Sequence, residues 1–276
     1  MNNNSFDYVL PFKSHIKSQI KFRRLCLLVA AFTSVPLFFI GFAGCATSQN
    51  HKEEAELYLR LGTSFLEQQN YPQALRELLN AERIDPENEL VQNNLGLVYF
   101  LRDKYDVAKQ HLQLAIKLAP KYSDAHNNYG VLLIETGHYD EALSQLQFVV
   151  SDLTYGNPAR AWINMGRAYF LKNDFNQAKK SLAQAIRFDR DNCAAHTLYG
   201  RSLLELKDFK AAARSLDDAI IICKPQKFEE AHYFSGLSHY KLGQASAAVA
   251  RMEEVIKMNP EGAYAHKAES LIKLIK

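Results

Sequence analysis

The chain has 276 residues, of which 47% are hydrophobic, with 33 Lys/Arg against 30 Asp/Glu. That balance excludes a disordered polyelectrolyte and leaves enough apolar side chains for a packed core. Residues 1–44 carry five of the basic residues and one acid, so the remainder holds 28 and 29, a net charge near −1 that gives a nucleic-acid partner no electrostatic support.

The first element reads as an export signal. Lys13, Lys17, Lys21, Arg23 and Arg24 form a basic segment, and Leu25 to Ile40 is apolar apart from Thr33 and Ser34. Gly41-Phe42-Ala43-Gly44-Cys45 follows, supplying the small residues of a cleavage point. An uncleaved anchor is the alternative, since about 20 apolar residues span a bilayer. Pro36 and the small residues before Cys45 favour cleavage. Phe42-Ala43-Gly44-Cys45 resembles a bacterial lipobox, with Phe42 where leucine is usual. The resemblance implies that the Cys45 thiol receives a diacylglycerol, that cleavage falls before it, and that its amine is acylated, as by palmitate. Ala46 in place of aspartate implies sorting to the outer membrane, facing the periplasm. Residues 1–44 are then a lipoprotein signal peptide and 45–52 a lipidated tether.

From Glu53 to Pro260 one pattern recurs six times. Gly62, Gly96, Gly130, Gly166, Gly200 and Gly236 stand 34 to 36 residues apart. Twelve positions after each comes an alanine: Ala74, Ala108, Ala142, Ala178, Ala212 and Ala248. Between them stand Tyr71, Tyr105, Tyr139, Phe175 and Phe209, with Ala245 as the exception in the sixth unit. Leu78, Leu112, Leu146, Leu182, Leu216 and Met252 then mark the buried stripe of a second helix. A mid-helix glycine costs about 1 kcal/mol, so a close helix contact must require it, and the alanine is expected to serve the same contact. Pro86, Pro120 and Pro260 stop second helices. This is the period and pattern of the tetratricopeptide repeat (TPR), two antiparallel helices of about 34 residues. The expected fold is all-α, a right-handed superhelical solenoid of six helix hairpins plus a C-terminal capping helix over 261–276.

No metal, cofactor, small-molecule substrate or catalytic constellation is legible, and no enzyme is expected. His126, His196 and His232 occupy the repeat position held by Trp162, where an aromatic-sized side chain packs between helices. Successive repeats lie about 10 Å apart, too far for these rings to share a metal. Cys193 and Cys223 fall at one edge of the fifth unit, where a disulfide is possible in an oxidising compartment; two separate packed thiols are the expectation.

Function is therefore placed on the groove lined by the first helices. Counting from the glycines puts Asn93, Asn94, Leu97 and Phe100 on it, then Asn127, Asn128 and Val131, then Asn164, Arg167 and Phe170, then Arg201, Tyr233 and Tyr240. Asn94, Asn128 and Asn164 share one repeat position and could form an amide ladder for a peptide backbone, or hold the neighbouring helix. Apolar residues near Arg167 and Arg201 predict a protein partner with hydrophobic anchors and an acidic group. The carboxylate clamp of chaperone-binding TPR domains is not reproduced, since Leu59 and Thr63 stand where that clamp has lysine and asparagine.

A narrower resemblance rests on architecture and one link. Asn127-Asn128-Tyr129-Gly130 through Tyr139-Asp140-Glu141-Ala142 is similar to the third repeat of the pilotin lipoproteins of type IV pili. Leu153-Thr154-Tyr155-Gly156-Asn157-Pro158-Ala159, leading into Asn164-Met165-Gly166, resembles that family's extended link to the fourth. The resemblance implies an outer-membrane lipoprotein that binds secretin subunits and helps them assemble into the pilus exit ring. The alternative is a periplasmic lipoprotein adaptor for cell-wall hydrolases or proteases.

Overall fold

The computed structural model describes residues 42–223 and 228–275; the signal segment before Phe42 and the link at 224–227 lie outside the described residues. Among the described residues there are thirteen helices and no strand. They fall into two compact units divided after Ala119. The first contains α1 (Phe42–Glu67), α2 (Tyr71–Ile84), α3 (Glu89–Phe100) and α4 (Tyr105–Leu118). The second begins with α5 (Ser123–Glu135), α6 (Tyr139–Ser151), α7 (Pro158–Leu171) and α8 (Phe175–Phe188). It continues with α9 (Cys193–Glu205), α10 (Phe209–Cys223), α11 (Glu229–Lys241), α12 (Ala245–Met258) and α13 (Ala263–Ile275). The stretch expected to be a tether, residues 45–52, is helical here, because α1 runs through it unbroken.

Local sequence explains the helix ends. Asn70, Asn88, Asn157, Asp174 and Asn192 each accept a backbone N–H of the first turn with their side chains. Pro72 and Pro158 sit in the first turns of α2 and α7, where their missing N–H is harmless. Inside each hairpin the chain turns through one left-handed residue: Gln69, Asp103, Gly137, Asn173, Lys207 or Gly243. In the first hairpin Asn70 N–H donates to the Phe65 carbonyl at 2.8 Å and Gln69 N–H to Leu66 at 3.0 Å, and the others repeat the long bond. This double bond is the Schellman closure of a helix C-terminus.

Each first helix packs on the second helix that follows it. The repeat glycines make this possible, though not chiefly through the alanine twelve positions on. A Cβ at Gly200 would stand 2.5 Å from Leu216 Cγ, so the glycine is required by the leucine sixteen residues later. The alanines are fully buried beside it. In the second unit the first helices α5, α7, α9, α11 and α13 also touch one another in sequence. Successive second helices make no comparable contact among the described residues, so the first helices form the inner layer. At the end, α13 buries Ala265 and Ala268. His266, Glu269, Ser270 and Lys273 of the same helix are polar and exposed.

One expectation is overturned at the fifth hairpin. Cys193 opens α9 and Cys223 ends α10, their Cα atoms lie 5.0 Å apart, and the two sulfurs are joined in a disulfide rather than held as separate thiols. Antiparallel helices of similar length, 13 and 15 residues, bring these ends together, which is the geometry a disulfide needs.

Candidate protein-binding surface

In the first unit, the surface expected from Asn93, Asn94, Leu97 and Phe100 is largely closed. Asn93, Leu97 and Phe100 are buried. Asn93 donates to Asn94 Oδ1 at 3.1 Å, and Asn94 donates to Thr63 Oγ1 on α1 at 2.9 Å. These amides hold neighbouring helices together; they do not stand open to a ligand.

The same correction applies to Asn127, Asn128, Val131 and Asn164 on α5 and α7, all buried. The amides of Asn127 and Asn164 face each other at 3.0 Å. Turned about its amide, Asn127 would instead place its oxygen on the Arg160 guanidinium at 3.2 and 3.3 Å. Arg160 also donates to Asn128 Oδ1 at 2.7 Å. The amide ladder is thus a seam between α5 and α7, closed by a cation that position counting overlooked.

The link between α6 and α7 is tied to the same seam. Asp152 accepts from Ser123 Oγ at 2.5 Å and from the Thr154 backbone and hydroxyl at 2.9 and 2.6 Å. The Ser123 and Thr154 hydrogen bonds hold its carboxyl below the ordinary aspartate range. Tyr155 donates to Asp124 Oδ1 at 3.2 Å. Burial pushes its phenol well above the usual value, against the opposing Arg160 charge, so the hydroxyl stays a donor.

The two arginines expected to receive an acidic ligand are already paired. Arg167 binds Glu135 at 2.5 Å, and Arg201 binds Glu230 at 2.5 Å. Arg201 does more: its guanidinium lies 4.6 Å from the Phe170 ring centre and 4.5 Å from that of Phe234. A cation between two aromatic faces is held by both ring quadrupoles. Phe170 packs edge-on against Phe175 as well, at 5.3 Å. Phe170, Arg201 and Phe234 therefore bind three successive first helices to one another. Asp124, Arg160 and Glu230 all stand six residues before a repeat glycine, a further inward position whose charges were the available signal.

What remains open lies toward α11 and α13. Tyr233 and Tyr240 are half-buried, and the Lys241 ammonium lies 5.8 Å from the Tyr240 ring centre. Tyr233, Phe234 and Tyr264 contact one another at 5.0 to 5.9 Å, a rigid aromatic group at the base of the last two inner helices. Tyr233, His266, Lys267, Ser270, Leu271 and Leu274 line an open groove beside it. Position counting reaches Tyr233 but not the α13 residues, because α13 carries no repeat glycine from which to count.

The three histidines of the Trp162 position serve local structure. His126 bonds Gln145 at 2.6 Å and the Pro120 carbonyl at 3.0 Å, His196 meets the Arg190 carbonyl, and His232 meets Glu254. Among the described residues no cluster of His, Cys, Asp or Glu could hold a metal, and no helix is long and apolar enough to cross a membrane.

Comparison with known proteins identifies the repeat. TPR family models match residues 62–103, 99–150, 159–192 and 235–272. A cell division cycle protein 27 homolog from Caenorhabditis elegans is 28% identical over 101 residues, which are 37% of this chain and only 13% of that protein. In structure the chain is similar to PilW, described as a widely conserved type IV pilus biogenesis factor, with a TM-score of 0.73 and 19% identity over 78% of this chain and 98% of that one. It is similar also to PilF of Pseudomonas aeruginosa, with a TM-score of 0.69 and 19% identity over 80% and 99% of the two chains. YrrB, described as a TPR protein with an unusual peptide-binding site, aligns with a TM-score of 0.55 and 14% identity, over 70% of this chain and 97% of its own. The all-α hairpins, the glycine-to-leucine contacts and these matches agree: the chain belongs to the tetratricopeptide-repeat family, and its fold resembles that of type IV pilus biogenesis factors.

Proposed function

We propose that the chain is a protein-binding scaffold anchored to the outer membrane through Cys45, and that it assists secretin assembly in type IV pilus biogenesis. The observation that carries this reading is the match in fold to PilW, described as a type IV pilus biogenesis factor, and to PilF, over 98% and 99% of those chains. Two further features support it. The basic and apolar N-terminal segment ending in Phe42-Ala43-Gly44-Cys45 has the form of a lipoprotein signal. The Cys193–Cys223 disulfide fits an oxidising compartment such as the periplasm.

The test is genetic and biochemical. Cells lacking the chain should show fewer detergent-resistant secretin multimers and fewer surface pili, restored by the wild-type chain. Cys45→Ala should accumulate as unprocessed precursor and restore neither, because firm membrane attachment needs more than one acyl chain at about 0.8 kcal/mol per buried methylene. Normal pili with altered cell-wall turnover would overturn the pilus reading in favour of an adaptor for cell-wall enzymes.

A further inference from the structure

The inner layer does not treat all its helices alike. From α5 to α9 its arginines are already engaged, Arg160 by Asn128 and Asn127, Arg167 by Glu135, and Arg201 by Glu230. A partner carboxylate arriving at Arg167 or Arg201 would have to displace an existing carboxylate of equal charge. Along α13 the situation reverses. The groove beside Tyr233 is lined by Leu271, Leu274, Lys267, Ser270 and His266, with no carboxylate among its lining residues. Leu274 is 69% exposed although it sits on a well-formed helix. Lys267 rests its ammonium 5.4 Å from the Tyr264 ring centre and forms no ion pair among the described residues. His266, Lys267, Ser270, Leu271 and Leu274 fall on one stripe of α13, at spacings that share a helical face. An uncovered apolar side chain beside an uncompensated cation, over aromatic rings already packed edge-on and tilted against one another, has the make-up of an anchor pocket.

We infer that this groove docks a protein segment carrying a large apolar side chain next to a carboxylate. The apolar group lies against Leu271, Leu274 and Tyr233, and the carboxylate meets Lys267. The inference rests on the reading of the chain as a protein-binding scaffold and adds the place and the chemistry of the bound segment. Charge complementarity selects this occupant: a basic segment would meet Lys267 with repulsion, and a purely apolar one would leave the ammonium desolvated and unpaired.

The test uses the full chain in mild detergent and short random peptides displayed on phage. Selected peptides should be enriched in Asp or Glu within a few positions of Leu, Ile, Phe or Trp. A fluorescent copy of the most enriched peptide should lose affinity about tenfold or more on Leu274→Asp. It should lose as much on Lys267→Glu and recover against that variant when its own acid is changed to lysine. Both changes lie at exposed positions of α13, so circular dichroism should show unaltered folding and melting; Lys267→Ala gives a milder check should the reversal of charge disturb α13. Selection of no peptide, absence of acidic enrichment, or equal binding by the variants would overturn the inference. Dimerisation of the wild-type chain abolished by Leu274→Asp would make a second copy the occupant and overturn it too. The pilus reading fails separately: if Leu274→Asp loses the peptide while secretin multimers and pili stay normal, the groove stands and its link to the pilus does not.

Discussion

Removing the disulfide should loosen one hairpin of the array and leave distant ones alone. Cys193 and Cys223 are 30 residues apart in sequence. Closing a loop of that length lowers the entropy of the unfolded chain by an amount worth about 3.6 kcal/mol at room temperature in the chain-entropy model. Repeat arrays are coupled mainly between neighbours, so the loss should fall on α9 and α10 and spread weakly. In hydrogen exchange followed by mass spectrometry, Cys193→Ser with Cys223→Ser should speed exchange of the α9 and α10 amides by a few hundredfold, at tenfold per 1.4 kcal/mol. The amides of α5 and α6 should be unchanged. The starting point is checked by alkylating the unreduced protein taken directly from cells, in which peptides containing Cys193 and Cys223 should stay unlabelled. Alkylation of both cysteines before reduction, or unchanged exchange across α9 and α10 after their substitution, would refute the reasoning.

Three other outcomes follow from the packing and the charges. At Gly130 even a Cβ would stand 2.9 Å from Leu146 Cγ, so Gly130→Leu should cost about 3 kcal/mol by urea titration, while the exposed Lys180→Ala stays within about 0.5 kcal/mol. Lys207 holds a left-handed conformation, with φ of 61°, that disfavours any residue with a Cβ; Lys207→Gly should therefore raise stability by about 1 kcal/mol, read as a higher melting temperature. Burial raises the Asp217 carboxyl, but hydrogen bonds from Ser235 and His239 and the Arg251 charge outweigh it and leave the pKa below the ordinary aspartate value. Its stabilisation is then complete above pH of about 4 and lost as pH falls through the folded pKa, so Asp217→Asn should lower stability at pH 7 and flatten that part of the acid-denaturation curve.

The repeat was legible because every feature that defines it is local. A glycine, an aromatic, an alanine and a leucine at fixed offsets lie within one hairpin and recur in five units, with Ala245 and Met252 in the sixth. The left-handed turns were not, since Gln69, Asp103 and Lys207 hold a conformation that sequence assigns to glycine. Position counting found which helix face points inward and could not find how deep each side chain lies. Asn164 meets Asn127 across 37 residues and Arg201 meets Glu230 across 29, so the partners that close the seam belong to other repeats. The disulfide was within reach of the sequence, because both cysteines fall at the same edge of one hairpin. Its formation turned on a 5.0 Å approach that spacing alone does not deliver.

The guanidinium of Arg201, gripped by Phe170 on one side and by Phe234 and Glu230 on the other, has a mechanical consequence. Solenoids stretch and recoil like springs because each coil leans only on the next. Here one side chain spans three coils, α7, α9 and α11, so that bending any one of them disturbs two contacts at once. This part of the molecule should behave as a stiff bar within a compliant chain. Under tension, extension should begin outside it, and a partner bound near Tyr233 should feel a platform whose curvature is fixed before it arrives.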